Sequence, residues 1–176
     1  MKTKILSIKT IGSYLAVFFI SLTPFRPPNV EPVMVVLMPL AKKSGKILSF
    51  VFGFASIALV DLAEGRAGIW TPVTASTYGL VGLGAHFLLT NKNNTRLTYF
   101  KLSIIGTLFY DAVTGLGMGP LLFKQSFWQA FYGQMPFTVM HLLGNTLFAV
   151  SLSPVIFRWL AKENLAEVTS PKLAKI

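Results

Sequence analysis

Three groups of polar side chains recur at helical spacing within apolar stretches of the sequence. Residues three or four positions apart lie on one face of an α-helix, so each group forms a stripe along a single helix. The groups are Thr71, Thr74 and Tyr78; Thr107, Asp111 and Thr114; and Gln134, Thr138, His141 and Asn145. A carboxyl group, an imidazole, amides and hydroxyls that converge between helices predict a polar pocket for a small molecule.

The motifs of common enzymes do not occur in the sequence. There is no cysteine, and the two histidines, His86 and His141, are predicted to lie at opposite depths. We find no H-E-x-x-H, G-x-S-x-G or phosphate-binding Gly-Lys pattern. Asp111 and His141 suit acid–base chemistry, which leaves a small membrane enzyme as an alternative, but no nucleophile accompanies them. We therefore expect a protein that is not an enzyme and that uses no cofactor and no metal ion.

The composition predicts an all-α integral membrane protein. The 176 residues are 53% hydrophobic and only 12% charged, and the mean hydropathy is +0.61. Soluble domains carry about 25% charged residues, enough to cover their surface. Lys, Pro and Asn divide the chain into six apolar stretches, which we interpret as a bundle of six transmembrane helices. The stretches are Ile8–Thr23, Val30–Ala41, Ile47–Leu62, Pro72–Thr90, Leu102–Gly117 and Pro136–Leu160.

The basic residues predict the orientation of this bundle in the cell membrane. With both termini cytoplasmic, 13 of the 16 basic residues lie inside, and only Arg26, Arg66 and Lys124 lie outside. Cytoplasmic loops are enriched in Lys and Arg in this way. The split requires the short second stretch to span, because the basic loop that follows it (42–46) would otherwise lie outside. We therefore assign the net charge of +10 to topology and lipid headgroups, with no nucleic-acid partner expected.

The two ends of the chain allow fewer conclusions. The first 25 residues have the basic start and apolar middle of a signal peptide, but no small-x-small cleavage site precedes Pro24. We expect an uncleaved first helix. The domain prediction is a membrane domain over residues 1–162 and a polar cytoplasmic tail over residues 163–176, either frayed helix or disordered.

The polar stretch DLAEGRAGIWTPVTASTYG (61–79) is predicted to be an outer loop followed by the outer end of the fourth helix. Trp70 then lies at the membrane interface, where aromatic residues are enriched. Asp111 remains within a span, at a cost of about 2.5–3.5 kcal/mol if it faced lipid. We therefore expect Asp111 to face a partner, a cavity or a ligand.

Several less specific interpretations stay open. Asp111 and His141 are suited to bonding each other and linking two helices. Membrane Thr residues such as Thr74 and Thr114 commonly bond their own backbone. Asp61 is close enough in sequence to Arg66 for a local ion pair. The aromatic residues Trp70, Trp128, Phe131 and Tyr132 are either interfacial anchors or pocket walls.

Three segments resemble the substrate-binding S-component of energy-coupling factor (ECF) vitamin transporters. NVEPVMVVLMPLAKKSGK (29–46) is similar to the second-helix region and its basic inner loop, and FGFASIALVDLAEGRAGIWTPVTASTYGLVG (52–82) to the passage from the third to the fourth helix. The third segment, residues 110–150, contains PFTVMHLLGN and is similar to the fifth and sixth helices. Together they cover about half of the chain.

The resemblance implies six membrane helices, an outward-facing ligand pocket, and delivery inward by a partner complex. That complex consists of a transmembrane scaffold subunit and two ATPase subunits. Family members often dock through an Ala-xxx-Ala pattern in the first helix, and the nearest match here is Gly12-xxx-Ala16. Such small residues allow another helix to approach closely.

We predict that the ligand is a heterocyclic vitamin or a vitamin precursor. In the predicted pocket, Asp111 bonds a cationic or N–H group, and Trp70 and Tyr78 stack on or close over a ring. The candidate substrate-binding residues are Asp61, Trp70, Thr74, Tyr78, Asp111, Gln134, His141 and Asn145. The alternative function is a structural or assembly role, in which the polar residues only link helices.

Overall fold

The computed structural model describes residues 8–23 and 32–169, with side chains through residue 161. Every regular element in these ranges is helical. The elements are α1 (Ile8–Ser21), α2 (Val33–Lys43), α3 (Lys46–Ala63), α4 (Thr71–Leu89), α5 (Arg96–Asp111), a π-helical segment (Ala112–Gly117), α6 (Met118–Phe123) and α7 (Phe127–Thr169). The predicted all-α class is confirmed.

Helices α5 and α6 and the π-helical segment follow one another without a break, so the described ranges contain six separate helical rods. Three stretches are long and apolar enough to cross a membrane: Lys46–Ala63, Arg96–Phe123 and Phe127–Ala161. Helix α1 is apolar but shorter, and α2 has 11 residues, or about 17 Å at 1.5 Å per residue. The protein thus has the character of a helical membrane protein, while the number of spans and their direction stay predictions.

Several helix boundaries differ from the sequence prediction, most of all those of the fifth and sixth spans. The fifth span was predicted over Leu102–Gly117, but the helix begins at Arg96 and continues through a π-helical turn to Phe123. The sixth was predicted to begin at Pro136, but α7 begins at Phe127. Ser126 and Gln129 exchange hydrogen bonds there: the Gln129 N–H donates to Ser126 Oγ over 3.2 Å, and the Ser126 N–H donates to Gln129 Oε1 over 2.9 Å. This capping box is readable in the sequence as Ser-x-x-Gln.

Several predictions concern residues outside the described ranges. They include the signal-peptide alternative for the first residues, the position of Arg26, and the final residues of the tail. Helix α7 continues to Thr169, so the predicted tail is helical as far as that residue.

Helix α1 directs small polar side chains inward and large apolar ones outward. Its buried residues are Thr10, Ser13, Val17 and Ser21. Ile8, Leu15 and Phe19 are exposed on the opposite face. A soluble bundle would present the reverse polarity. Association in a membrane gains little from apolar contact with lipid, so small residues collect at helix interfaces instead.

Helix α2 forms the centre of the bundle, since every residue from Val33 to Ala41 is buried. Pro39 lies inside this helix and has no N–H group to donate to the carbonyl four residues earlier, that of Val35. The hydroxyl of Ser153 on α7 donates to that carbonyl instead, over 2.9 Å. A side chain from another helix thus satisfies the backbone group that proline leaves open.

Helices α3 and α4 are in close contact through glycines. A Cβ atom on Gly53 would lie 2.8 Å from the backbone carbonyl carbon of Tyr78. One on Gly82 would lie 3.0 Å from that of Ser49. Because backbone cannot move aside as a side chain can, these positions accept only glycine at the present helix separation. This packing places the loop between α3 and α4 firmly at one end of the bundle.

At the other end of the bundle, α2 and α4 cap each other. Nδ1 of His86, in the last turn of α4, hydrogen-bonds the carbonyl of Ala41 at 2.8 Å. The Lys42 ammonium of α2 donates to the carbonyls of Leu89 and Lys92. The last carbonyls of a helix lack intrahelical partners, and basic side chains satisfy them well.

We expect Ser153→Ala to destabilise the protein by about 1–3 kcal/mol, because it leaves the buried Val35 carbonyl without a donor. The matched control is Ser151→Ala, since Ser151 is exposed and bonds only carbonyls of its own helix. In a Pro39→Ala background, a backbone N–H replaces the Ser153 hydroxyl. The cost of Ser153→Ala should then fall, which a thermal-unfolding double-mutant cycle in detergent measures. An equal cost in both backgrounds would contradict this role for Ser153.

Candidate functional site

The loop between α3 and α4 is held by backbone and side-chain bonds. Gly65 has a φ of +66°, a conformation that glycine adopts readily. The Gly65 N–H donates to Leu62 and the Arg66 N–H to Asp61, which is the Schellman arrangement at a helix end. Gly65 thus ends α3 and turns the chain into the loop.

Asp61 connects the end of α3 to the start of α4. Its Oδ2 accepts a hydrogen bond from the Thr71 hydroxyl over 2.7 Å. The Thr71 Oγ1 atom in turn accepts from the Gly68 N–H over 3.1 Å. The suggested ion pair between Asp61 and Arg66 is wrong, because the Arg66 guanidinium pairs with Glu64, two residues away. Glu64 lies only two residues from Arg66 in the chain, whereas the Asp61 side chain bonds Thr71 of α4.

These contacts surround a pocket of about 170 Å³, which we name the outer pocket because the loop between α3 and α4 is predicted to face outward. Its walls come from α1, α2, α3, the loop, α4 and α5. The polar and aromatic residues that line it are Ser21, Ser56, Asp61, Arg66, Trp70, Thr74 and Tyr110. Both signs of charge and two aromatic rings therefore face one small space.

Trp70 is positioned by the backbone beside it. The ring lies against Gly68, where a Cβ atom would be 2.6 Å from the ring edge. Trp70 remains 37% exposed. Thr74 donates to carbonyls of the preceding turn, those of Trp70 and Thr71, which agrees with the backbone-bonding alternative for this residue. Trp70 is thus the large side chain at the mouth of the outer pocket.

A polar ladder joins α5 to α7 across the bundle. The outermost rung is the Asp111–His141 pair, whose Oδ1 and Nδ1 atoms share a hydrogen bond at 2.7 Å. In the next rung the Asn145 amide donates to the Thr107 hydroxyl over 2.9 Å. Further along, Ser103 donates to the Thr146 hydroxyl over 3.3 Å. The first two rungs have the four-residue spacing that the polar stripes predicted, and the Asp111–His141 pairing alternative is confirmed.

The ladder leaves hydrogen-bonding capacity unused. Asp111, His141 and Asn145 are each at most 2% exposed. Within the part of the chain that the structure describes, Asp111 Oδ2, His141 Nε2 and Asn145 Oδ1 have no hydrogen-bond partner. Leaving a buried polar atom unsatisfied costs about 1–3 kcal/mol, so such atoms are candidates for contact with a ligand or water.

Tyr110 connects the outer pocket to the ladder. It lines the pocket, and its ring centroid lies 5.7 Å from that of His141 and 4.7 Å from that of Tyr78. Tyr78 is fully buried behind it. Tyr110 is not among the residues predicted from the sequence, although its place next to Asp111 in the chain was a usable signal. Because Tyr110 contacts His141 and also lines the pocket, a movement of the His141 ring would act on the pocket wall through Tyr110.

The structure divides the predicted site residues among three places. Asp61, Trp70 and Thr74 line the outer pocket, with Tyr78 behind its wall. Asp111 and Gln134 line a second cavity of about 450 Å³. His141 and Asn145 lie in the interface between α5 and α7. Whether each of the eight contacts a substrate stays a prediction.

The aromatic residues near the start of α7 also divide. Trp128 and Tyr132 are exposed and stack on each other with their centroids 6.1 Å apart, in the manner of interfacial anchors. Phe131 lines the second cavity. Among the described residues, no three His, Asp or Glu side chains come close enough together to hold a metal ion.

We expect Thr107→Val to destabilise the protein by about 1 kcal/mol, because the buried Asn145 amide loses its acceptor without a change in volume. Thr114→Val is the control, since the Thr114 hydroxyl donates only to the Tyr110 carbonyl one turn earlier. Thermal unfolding of both variants in the same detergent measures the difference. Equal effects would show that the Thr107–Asn145 bond contributes nothing beyond local helix preference.

Comparison with known proteins finds no counterpart for this chain: no protein-family model, no curated protein and no solved structure matches it.

Proposed function

We propose that this protein is the substrate-capture subunit of an ECF-type importer, and that it binds a small heterocyclic vitamin or precursor. The observation that carries the proposal is the outer pocket, where Asp61, Arg66 and Trp70 face one space. A carboxyl and a guanidinium supply both an acceptor and fixed donors, and an indole supplies a flat apolar surface. Flat heterocycles with ring nitrogens and polar substituents match this combination.

The size of the outer pocket supports a small ligand. Its 170 Å³ is below the range of about 300–1,000 Å³ that is typical of small-molecule sites, so the proposed ligand is no larger than a single ring with small substituents. The ring is proposed to lie against Trp70, with polar substituents toward Asp61 and Arg66. In this arrangement Tyr110 forms the inner wall, and the Asp111–His141 pair supports that wall from behind.

The proposed topology has six spans in the cell membrane with both termini cytoplasmic. The loop from Glu64 to Trp70 then faces outward, and the mutually capped ends of α2 and α4 face the cytoplasm. A capture subunit of this kind needs a separate motor. The proposed partners are a transmembrane scaffold subunit and two ATPase subunits.

The exposed face of α1 is the proposed contact with the scaffold subunit. Gly12 and Ala16 are both exposed there, and a Cβ atom added to Gly12 would meet nothing within 4 Å. This open strip of small residues allows a partner helix to approach the α1 backbone.

We expect a panel of radiolabelled vitamins and precursors to contain one that binds the purified protein saturably. Trp70→Ala should weaken that binding by about tenfold or more, because it removes the largest apolar wall of the outer pocket. Trp128→Ala is the matched control, since this exposed tryptophan lies outside the outer pocket. Scintillation proximity in detergent measures both variants. No binding by any compound, with the folded state confirmed by its unfolding transition, would refute the capture function.

The alternative is a structural or assembly role, and the Asp111–His141 bond favours it because the pair already links two helices. Asp61→Asn separates the two functions, since Asp61 lines the outer pocket and asparagine keeps the size of the side chain and an oxygen that accepts from Thr71. We expect this variant to bind the vitamin more weakly while its unfolding temperature stays close to that of the wild type. A large loss of stability with unchanged affinity would instead support the structural role.

A further inference from the structure

The cavity that Asp111 lines lies on the flank of the bundle, apart from the outer pocket. It occupies the space between the end of α5, the π-helical segment and the outer half of α7. Its volume of about 450 Å³ falls in the range of about 300–1,000 Å³ that is typical of small-molecule sites. The two cavities share no lining residue. We call this space the flank cavity.

The walls of the flank cavity are apolar over most of their area. Leu108, Leu116, Phe131 and Met135 form much of this surface. The polar residues in the wall are Asp111, Gln134 and Thr138, and the Gln134 amide donates to the Thr138 hydroxyl over 3.3 Å. A molecule that fits this cavity therefore needs an apolar body. Its polar group must be one that forms a hydrogen bond with Asp111.

The Asp111 carboxyl group is prepared for a second hydrogen bond. Its side chain is 3% exposed, and Oδ1 is already bonded to His141. Oδ2 has no hydrogen-bond partner among the described residues, and neighbouring atoms cover it, so an occupant of the flank cavity must displace them to reach it. A carboxyl oxygen accepts, so the complementary group is a donor, and a cationic N–H is the strongest one.

The flank cavity opens on the surface of the bundle. Leu108 is 46%, Met135 50% and Val139 54% exposed, and all three line it. In a membrane, these faces meet lipid. An occupant would therefore reach Asp111 from the bilayer without passing Trp70.

Gly115 of the π-helical segment leaves room for the Gln134 side chain at the wall of the flank cavity. A Cβ atom on Gly115 would overlap the Gln134 side chain, lying 2.7 Å from its Cγ. The Gln134 amide thus rests in space that only glycine leaves free, and it is held toward the helix backbone. Wide π-helical turns are often found at functional sites.

We infer that the flank cavity is a second binding site, for an apolar molecule that carries a cationic N–H group. The N–H group donates to Asp111 Oδ2, and the body lies against Leu116, Phe131 and Met135. Two sources offer this chemistry: a free hydrophobic amine dissolved in the bilayer, and the headgroup of an aminolipid. The inference does not depend on the proposed capture function.

The test uses tritiated tryptamine, an indole that carries an ammonium group, and the full chain in phosphatidylcholine nanodiscs. We expect saturable binding that excess indole-3-propionate, which has a similar body with a carboxylate, does not displace. Gly115→Ala should weaken binding by about tenfold, because it pushes the Gln134 side chain into the cavity. Gly117→Ala is the matched control in the same segment, since its Cβ atom would have only an ordinary contact at 3.7 Å.

Further variants show which site the probe occupies. Asp111→Asn should also weaken tryptamine binding, whereas Trp70→Ala should leave it unchanged. The inference is overturned if folded protein shows no saturable binding, if indole-3-propionate competes as well as tryptamine, if Gly115→Ala and Gly117→Ala bind equally, or if Trp70→Ala abolishes binding. The last result would place tryptamine in the outer pocket. If a vitamin binds Gly115→Ala as tightly as it binds the wild type, the capture function stands whatever the result for tryptamine.

Nanodiscs in which half of the lipid is phosphatidylethanolamine distinguish the two sources. Competitive loss of tryptamine binding in these discs identifies an aminolipid headgroup as an occupant. Unchanged binding identifies the free amine. Both results support the N–H chemistry that Asp111 selects.

Discussion

The hydrogen bond between Asp111 and His141 joins α5 to α7 in a region where neither side chain reaches solvent. Inside a low-dielectric bundle, a polar group without a partner is expensive, which makes the register of these two helices hard to change. The Thr107–Asn145 bond one turn away requires the same register. This register places Tyr110 between the ladder and the outer pocket, so the geometry of the pocket wall depends on a contact that lies behind it.

The same constraint explains the rest of the packing. Pro39 leaves the Val35 carbonyl open, and a hydroxyl from α7 satisfies it. His86 of α4 bonds a carbonyl at the end of α2, and Lys42 of α2 bonds a carbonyl at the end of α4. Backbone N–H and C=O groups inside a membrane have no water with which to form hydrogen bonds. Neighbouring helices therefore supply the missing donors and acceptors. These bonds are directional, and they add specificity to apolar contacts that are no better inside the bundle than against lipid.

Close helix contact and polar bonding together produce two separate spaces. Glycines bring α3 and α4 together and support a short, well-bonded loop, from which Trp70 extends over the outer pocket. The flank cavity lies between the π-helical segment, the end of α5 and α7. One space is polar and lies beneath a loop, and the other is apolar and opens on the flank. Chemically different molecules are suited to them.

Much of this architecture was predictable from the sequence because it depends on local periodicity. The all-helical class follows from apolar runs, and the inward position of Thr107, Asp111, His141 and Asn145 follows from a spacing of three and four residues. The helix start at Phe127 was also readable, in the Ser126–Gln129 capping box, and was missed. These features involve residues close together in the chain, whose relative positions a helix determines by itself.

Only the tertiary structure decided which residues meet. Eight candidate residues predicted for one pocket are divided among two cavities and a helix interface, and Tyr110 joins them although no stripe contains it. Arg66 forms an ion pair with Glu64, and the Ser153 hydroxyl donates to the carbonyl of Val35, 118 positions away in sequence. Periodicity determines the face of a helix on which a residue lies. It does not determine which helix that face meets, since that depends on how all the helices pack at once.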